Sequence, residues 1–304
     1  MFALIFGLSF LANAQDVQKD QPKGYQFTDI KRLPATSVKD QARAGTCWSW
    51  SGISFFESEM IRMGKEPIDL SAMYIVRHAY SDKATKFVRL HGNMNFAVGG
   101  AFCDVMHVIK NYGIVPMDVY KGLNYGEPNH AFGEIDDVLA GYINAVIKNS
   151  NKKLSTAWKK GFDGILDAYL GEEPEKFEYK GKEYTPRTFA DEVVGLNMDD
   201  YVSLTSFTHH PFYSQFAIEV PDNWLWGMSY NLPIDELAQV MSNAIDNGYT
   251  FAWASDVSIP SVSCICNVFC AVWNSCNNPT ASPILPETWL TSTFITAGAS
   301  NCCF

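Results

Sequence analysis

A cysteine that opens a helical pattern, with a glutamine six residues before it, has the clearest chemical use in this 304-residue chain: Gln41-Ala42-Arg43-Ala44-Gly45-Thr46-Cys47-Trp48-Ser49-Trp50. Backbone N–H groups and the dipole at a helix N-terminus favour a thiolate over a thiol, and the thiolate is the nucleophile. Gln41 can point its side-chain amide at the reaction centre served by the Cys47 backbone N–H. Two donors would then receive the oxyanion of a tetrahedral intermediate, and one such donor is worth about 3–4 kcal/mol of transition-state stabilisation. The pattern reads as acyl transfer, with Cys47 as nucleophile and Gln41 in the oxyanion hole. The competing reading is a cysteine packed as a small hydrophobe beside an aromatic.

Such a nucleophile needs a base, and the chain has six histidines, at 78, 91, 107, 130, 209 and 210. His107 falls in a helical pattern and reads as a packing residue. His209 and His210, in Thr208-His209-His210-Pro211-Phe212, read as a polar pair at the start of a strand. His78, His91 and His130 have no partner pattern. No metal or cofactor is expected at the Cys47 site.

The elements that must position Cys47 follow from apolar periodicity and its stops. A helix is predicted over 47–62, after Gly45-Thr46. Others are predicted over 101–112, ending at Gly113 and Pro116, and over 135–148, before Asn149-Ser150-Asn151. A fourth starts at Pro233, carries Ile234, Leu237, Val240, Met241, Ala244 and Ile245 on one face, and stops at Gly248. Apolar runs at 216–220 and 249–254 predict strands, in a mixed chain whose helices concentrate in the first two thirds.

Lysine and arginine number 23 against 33 acidic residues, a net charge of −10, the wrong sign for a general nucleic-acid binder. With 47% hydrophobic, 14% aromatic and 18% charged residues, the composition is that of a globular chain. Residues 1–14, MFALIFGLSFLANA, are too few to cross a bilayer and end on Ala12-Asn13-Ala14, which predicts a secretion signal cut before Gln15 and a secreted or periplasmic protein. This run lacks the lysine or arginine that normally opens a signal, so a start further upstream is part of the expectation. Residues 258–304 differ from the rest: Glu287 is their only charge, and they hold six of the eight cysteines, Cys264, Cys266, Cys270, Cys276, Cys302 and Cys303. A native surface is about a quarter to a third charged, so the segment is buried, is a disulfide or thiol-metal cluster, or is not native sequence.

The segment around Cys47 resembles the active-site stretch of papain-like cysteine peptidases: Gln, a small-residue turn, then Gly-Ser/Thr-Cys-Trp. Asp69-Leu70-Ser71 with Tyr74-Ile75-Val76 is similar to the segment after the family's central helix, with Ala72 in place of the usual glutamate. Val98-Gly99-Gly100 before the next helix, and Gly113-Ile114-Val115-Pro116 after it, resemble the glycine wall of the substrate cleft. Within that superfamily the likeness is to the bleomycin hydrolase and aminopeptidase C branch. It rests on Phe55-x-Glu57-Ser58-Glu59, Tyr184-Thr185-Pro186 with Phe189, Asn197-Met198-Asp199-Asp200, Pro233-Ile234-Asp235, and Ala44 where many secreted papains carry a disulfide cysteine.

The resemblance covers roughly residues 28–257 and implies an α+β, papain-like two-domain fold. The helical first domain is largely present, a helical insert occupies about 124–200, and the strand-rich second domain is incomplete. It also implies a peptide substrate pairing with Gly99 and Gly100, and hydrolysis through a Cys47 thioester. The family's base is a histidine held by an asparagine in Asn-Ser-Trp, both downstream of the strand at 249–254. No histidine follows His210, and Asn274-Ser275-Cys276 is a chance echo. The peptidase region therefore runs over 15–257, and 258–304 is read as an aberrant tail. The expectation is an aminopeptidase-like cysteine peptidase whose present chain is inactive. The alternatives are a non-catalytic peptide-binding homologue and a redox or metal protein built on the terminal cysteines.

Overall fold

The computed structural model describes residues 28–254 and the backbone of 293–296. The predicted signal at 1–14 and the rest of the tail at 258–304 lie outside the described residues. Three helices form the centre: α1 (Cys47–Arg62), α2 (Ala72–Arg89) and α3 (Phe102–Tyr112), each packed on the other two. Around α2 stand α4 (Gly133–Ile147) and α5 (Trp158–Leu170). The β1–β2 hairpin (Phe177–Tyr179, Lys182–Tyr184) and the short α6 (Pro186–Phe189) follow.

The predicted helix at 47–62 has the same bounds in the structure, and those predicted at 101–112 and 135–148 differ from α3 and α4 by one or two residues at an end. Their cores are continuous: Phe55, Phe56 and Met60 of α1 join Ile75 and Val76 of α2 and Val105 and Ile109 of α3. At Gly52 of α1 a Cβ would lie 2.7 Å from Val105 Cγ2 of α3, so a larger residue there would clash with α3. Ser71 starts α2, its hydroxyl accepting the Tyr74 N–H at 3.0 Å and donating to the Tyr120 carbonyl at 2.6 Å.

Glu57, 1% exposed, shows why a carboxylate sits inside α1. It accepts the Leu70 N–H at 2.7 Å and Lys39 Nζ at 2.8 Å, and also the Thr36 hydroxyl, tying the strap before α1 to the segment before α2. Burial raises its pKa, while Lys39 and Thr36 oppose the shift.

The second region is a five-stranded sheet in the order β4-β5-β3-β7-β6. Its members are β3 (Val202–Thr205), β4 (Gln215–Ala217), β5 (Met228–Asn231), β6 (Trp253–Ala254) and β7 (Thr293–Thr296). Strand β7 runs parallel to both β3 and β6, and β4 pairs antiparallel with β5. Helix α7 (Ile234–Asp246) covers a small core of Leu204, Leu232, Leu237 and Met241. The predicted strands at 216–220 and 249–254 are shorter than expected, at 215–217 and 253–254.

Burial sets one pH response. On α4 the Asp136 carboxyl is pushed up to about 7 by burial, which outweighs the Tyr80 hydroxyl bonded to it at 3.3 Å. The folded chain thus keeps a proton that the unfolded chain releases near 3.8, and stability from this group falls as pH rises through 4–7. Thermal midpoints from pH 4.5 to 7.5 (on the order of the window set by that shift) should therefore fall relative to those of Asp136→Asn. Parallel curves for the two proteins would refute the assignment.

Candidate active site

The turn before α1 is built by backbone contacts from far along the chain. Arg43 N–H donates to the His130 carbonyl at 3.0 Å, and Phe132 N–H donates to the Arg43 carbonyl at 3.1 Å, so residue 43 bridges to Ala131. Ala42 has φ 52°, and its N–H donates to Asp40 Oδ1 at 2.7 Å. Gly45 has φ +64°, and a Cβ there would lie 3.1 Å from Val98 Cγ2, so a glycine is needed for both conformation and space.

Thr46 precedes α1 but does not cap it. Its hydroxyl instead accepts Trp50 Nε1–H at 3.1 Å, and no acidic side chain occupies the first turn. The positive end of the helix is left to Cys47, which is half-buried. Gln41 is half-buried on the same turn, and its Oε1 is buried with no hydrogen-bond partner among the described residues. An amide oxygen left unsatisfied costs about 1–3 kcal/mol, and it is the Nε2–H of the same amide that could meet an oxyanion.

The glycine segment lies against this turn. Trp48 Nε1–H donates to the Val98 carbonyl at 3.2 Å, and a Cβ on Gly100 would lie 2.6 Å from Trp48 Cε2 and 2.7 Å from Asp104 Oδ2. At Gly99 a Cβ would lie 2.0 Å from Asp222 Oδ1. The sequence-predicted nucleophile turn and the Gly99–Gly100 wall are therefore brought together, through Gly45, Trp48 and Val98.

Sequence reasoning missed what holds the wall. Lys83 of α2, 2% exposed, donates to the Ala97 carbonyl at 2.8 Å and to that of Gly99. Its pKa is lowered to about 8 by burial, against the attraction of Asp104, Asp222 and Asp136. Asp104, fully buried, accepts the Ala101 N–H at 3.1 Å, capping α3, and Trp224 Nε1–H at 2.6 Å. Burial pushes its carboxyl up to about 6, opposed by Lys83. The Ala101-x-x-Asp104 spacing was the one available signal, since an acid at the third helical position can reach back to the first N–H.

The structure distributes the histidines. His78 is 5% exposed and stacked on Tyr112 with ring centroids 4.2 Å apart, and burial lowers its pKa to about 3. His107, expected to pack, bonds through Nε2 to Asp82 at 2.9 Å. His130 meets Trp50 edge-on at 5.9 Å, and burial lowers its pKa. His209 and His210 both turn onto Glu219. A second described cysteine, Cys103, has its thiol pushed well above the ordinary range by burial and then by Asp104, which makes it a poor nucleophile.

Residues 74–263 match the Peptidase C1-like family, a span that contains Gly99 and Gly100 but begins after Cys47. Aminopeptidase C of Streptococcus thermophilus is 22% identical over 273 residues, which cover 74% of this chain and 60% of that protein. Aminopeptidase G of Lactobacillus delbrueckii subsp. lactis is 21% identical over 263 residues, 74% of this chain and 60% of that protein. The chain thus spans about 60% of the length of these curated relatives. The crystal structure of PepW from Lactobacillus rhamnosis HN001 superposes with a TM-score of 0.57 at 20% identity, over 73% of this chain and 59% of that one. That likeness shows a shared mixed helix-and-strand, papain-like fold.

Proposed function

The chain belongs to the Peptidase C1-like family, and from that premise we propose that it carries the nucleophile side of an aminopeptidase-like cysteine peptidase site. Cys47 Sγ would attack the carbonyl carbon of a scissile peptide bond. The oxyanion would be received by the Cys47 N–H and the Gln41 amide, and the thioester formed would be released by water. Substrate backbone would pair along Gly99 and Gly100. The observation that carries this reading is the packing of the uncapped α1 N-terminus against the Val98–Gly100 segment, with Gln41 on the same turn.

Expelling the leaving amine requires a proton from an imidazole, and no histidine follows His210. We therefore propose that this polypeptide binds peptides but turns them over at close to the background rate. The test begins with the coding DNA downstream of the Val257 codon. Another reading frame is expected to encode a histidine followed by Asn-Ser-Trp, and the chain so repaired should hydrolyse aminoacyl nitroanilides until Cys47→Ala abolishes it. Frames without that motif would overturn the proposal.

The absence of a histidine after His210 also favours a second reading, a peptide-binding homologue without chemistry. The repaired chain separates the two, because a binding protein would remain inactive after repair. Export belongs to the same proposal. Cleavage before Gln15 would be read directly by N-terminal sequencing of secreted protein, and cell-associated chain beginning at Met1 would contradict it.

A further inference from the structure

Two adjacent histidines in an extended strand point to opposite faces. Here the turn between β3 and β4 brings both onto one carboxylate. His210 Nε2 lies 3.1 Å from Glu219 Oε1 and 3.3 Å from Oε2, and His209 Nε2 lies 3.6 Å from Oε2. One ligand atom from each of the three residues can be chosen so that all lie within 4.8 Å of one another.

The turn is held from below. Asn231, fully buried on β5, donates through Nδ2 to the carbonyls of Phe207, His210 and Pro211 at 2.9, 3.1 and 3.2 Å, and accepts the Phe207 N–H at 2.8 Å. The His210 ring lies flat on Phe216, 3.8 Å between centroids and 20° between planes. The His209 ring meets Phe207 edge-on at 5.2 Å. Both imidazoles are therefore oriented by neighbours other than Glu219.

We propose that His209, His210 and Glu219 form a binding site for a borderline divalent transition metal of the zinc class. Two imidazole nitrogens and one carboxylate suit zinc, cobalt, nickel or copper, whereas calcium and magnesium take oxygen ligands. Ligands about 2.0–2.2 Å from a tetrahedral zinc sit ~3.3 Å apart, so the histidine-to-glutamate separations already fit an ion. With the His209 and Glu219 side chains 58% and 66% exposed, at least one coordination position would face solvent. The ion would join the β3–β4 turn to the end of β4, away from any role assigned to Cys47.

The test must exclude the thiols, since the chain has eight cysteines. The full 304-residue chain is first alkylated with iodoacetamide and then titrated with zinc chloride by calorimetry at neutral pH. One zinc per chain is expected. Changing outer neighbours of a metal ligand typically costs ~10–100-fold in affinity, so loss of a ligand in His209→Ala or Glu219→Gln should weaken binding at least tenfold. His91→Ala, at an exposed turn, should leave it unchanged. Circular dichroism confirms that each variant is folded, which exposure of both side chains favours. Failure of the alkylated chain to bind zinc would overturn the proposal, as would binding unaffected by both ligand substitutions. In either case the contacts are ordinary hydrogen bonds or histidine–glutamate ion pairs.

Discussion

Peptide hydrolysis by the 304-residue chain is expected to stay near the uncatalysed rate, and Cys47→Ala should change it by less than about twofold. In a nucleophile–imidazole unit the members act together, and loss of one can cost on the order of 10⁶ in rate. A helix N-terminus contributes ~0.3–1 kcal/mol at an exposed site, well under one pKa unit, whereas an imidazolium partner supplies most of the depression in such cysteines. Three of the six histidines are engaged with carboxylates: His107 with Asp82, and His209 and His210 with Glu219. Peptide cleavage lost on Cys47→Ala, or a thiol titrating near about 4 as histidine-paired thiolates do, would refute the expectation. His130, packed against Trp50, and the His209–His210 pair would then be examined first as the base.

Lys83→Met is expected to lower folding stability by ~3–5 kcal/mol, the usual cost of removing one partner from a buried charged network. Its ammonium binds the Ala97 and Gly99 carbonyls and offsets the charge of Asp104, so its loss leaves these groups without that partner in a water-poor interior. Urea unfolding of the two proteins measures the difference. Asp104→Asn in the Lys83→Met background should recover part of it, because the uncompensated carboxylate is then gone. A loss below about 1 kcal/mol, the level of an exposed ion pair, would show that Lys83 reaches water and does not hold the wall.

The helices that could be read from the sequence are those with a recognisable start or stop, such as Gly45-Thr46 before the largely buried α1, or with one wet face. α7 shows Leu237, Met241 and Ala244 on one side and ends before Gly248. α2 went unread because 14 of its 18 residues are buried, including Arg77, His78 and Lys83, which leaves no stripe to detect. α5 has Phe162, Leu166 and Leu170 at four-residue steps, but Gly161 and Gly164 obscure it, since glycine disfavours helix. The sheet was legible only in fragments, because β7 pairs with β3 and β6 across long sequence separations that no local pattern encodes. Cys47, Gln41 and the two glycines carried local signals of type and spacing. Lys83 did not, because a lysine beside Asp82 looks solvated until the Ala97 and Gly99 carbonyls are folded onto it.

The bridge between Arg43 and Ala131 also orders events during synthesis. The nucleophile turn cannot close until residue 132 has left the ribosome, 89 residues after Phe132's partner Arg43, at a rate of ~5–20 residues per second. For several seconds α1 and its tryptophans must wait, with Lys39 and Glu57 already able to pair but the Gln41–Cys47 turn still open. A nascent chain arrested before residue 130 should therefore present Cys47 to a thiol reagent as an unfolded segment does. One arrested well beyond 132 should present it at the end of a formed helix, before any strand of the sheet has been made.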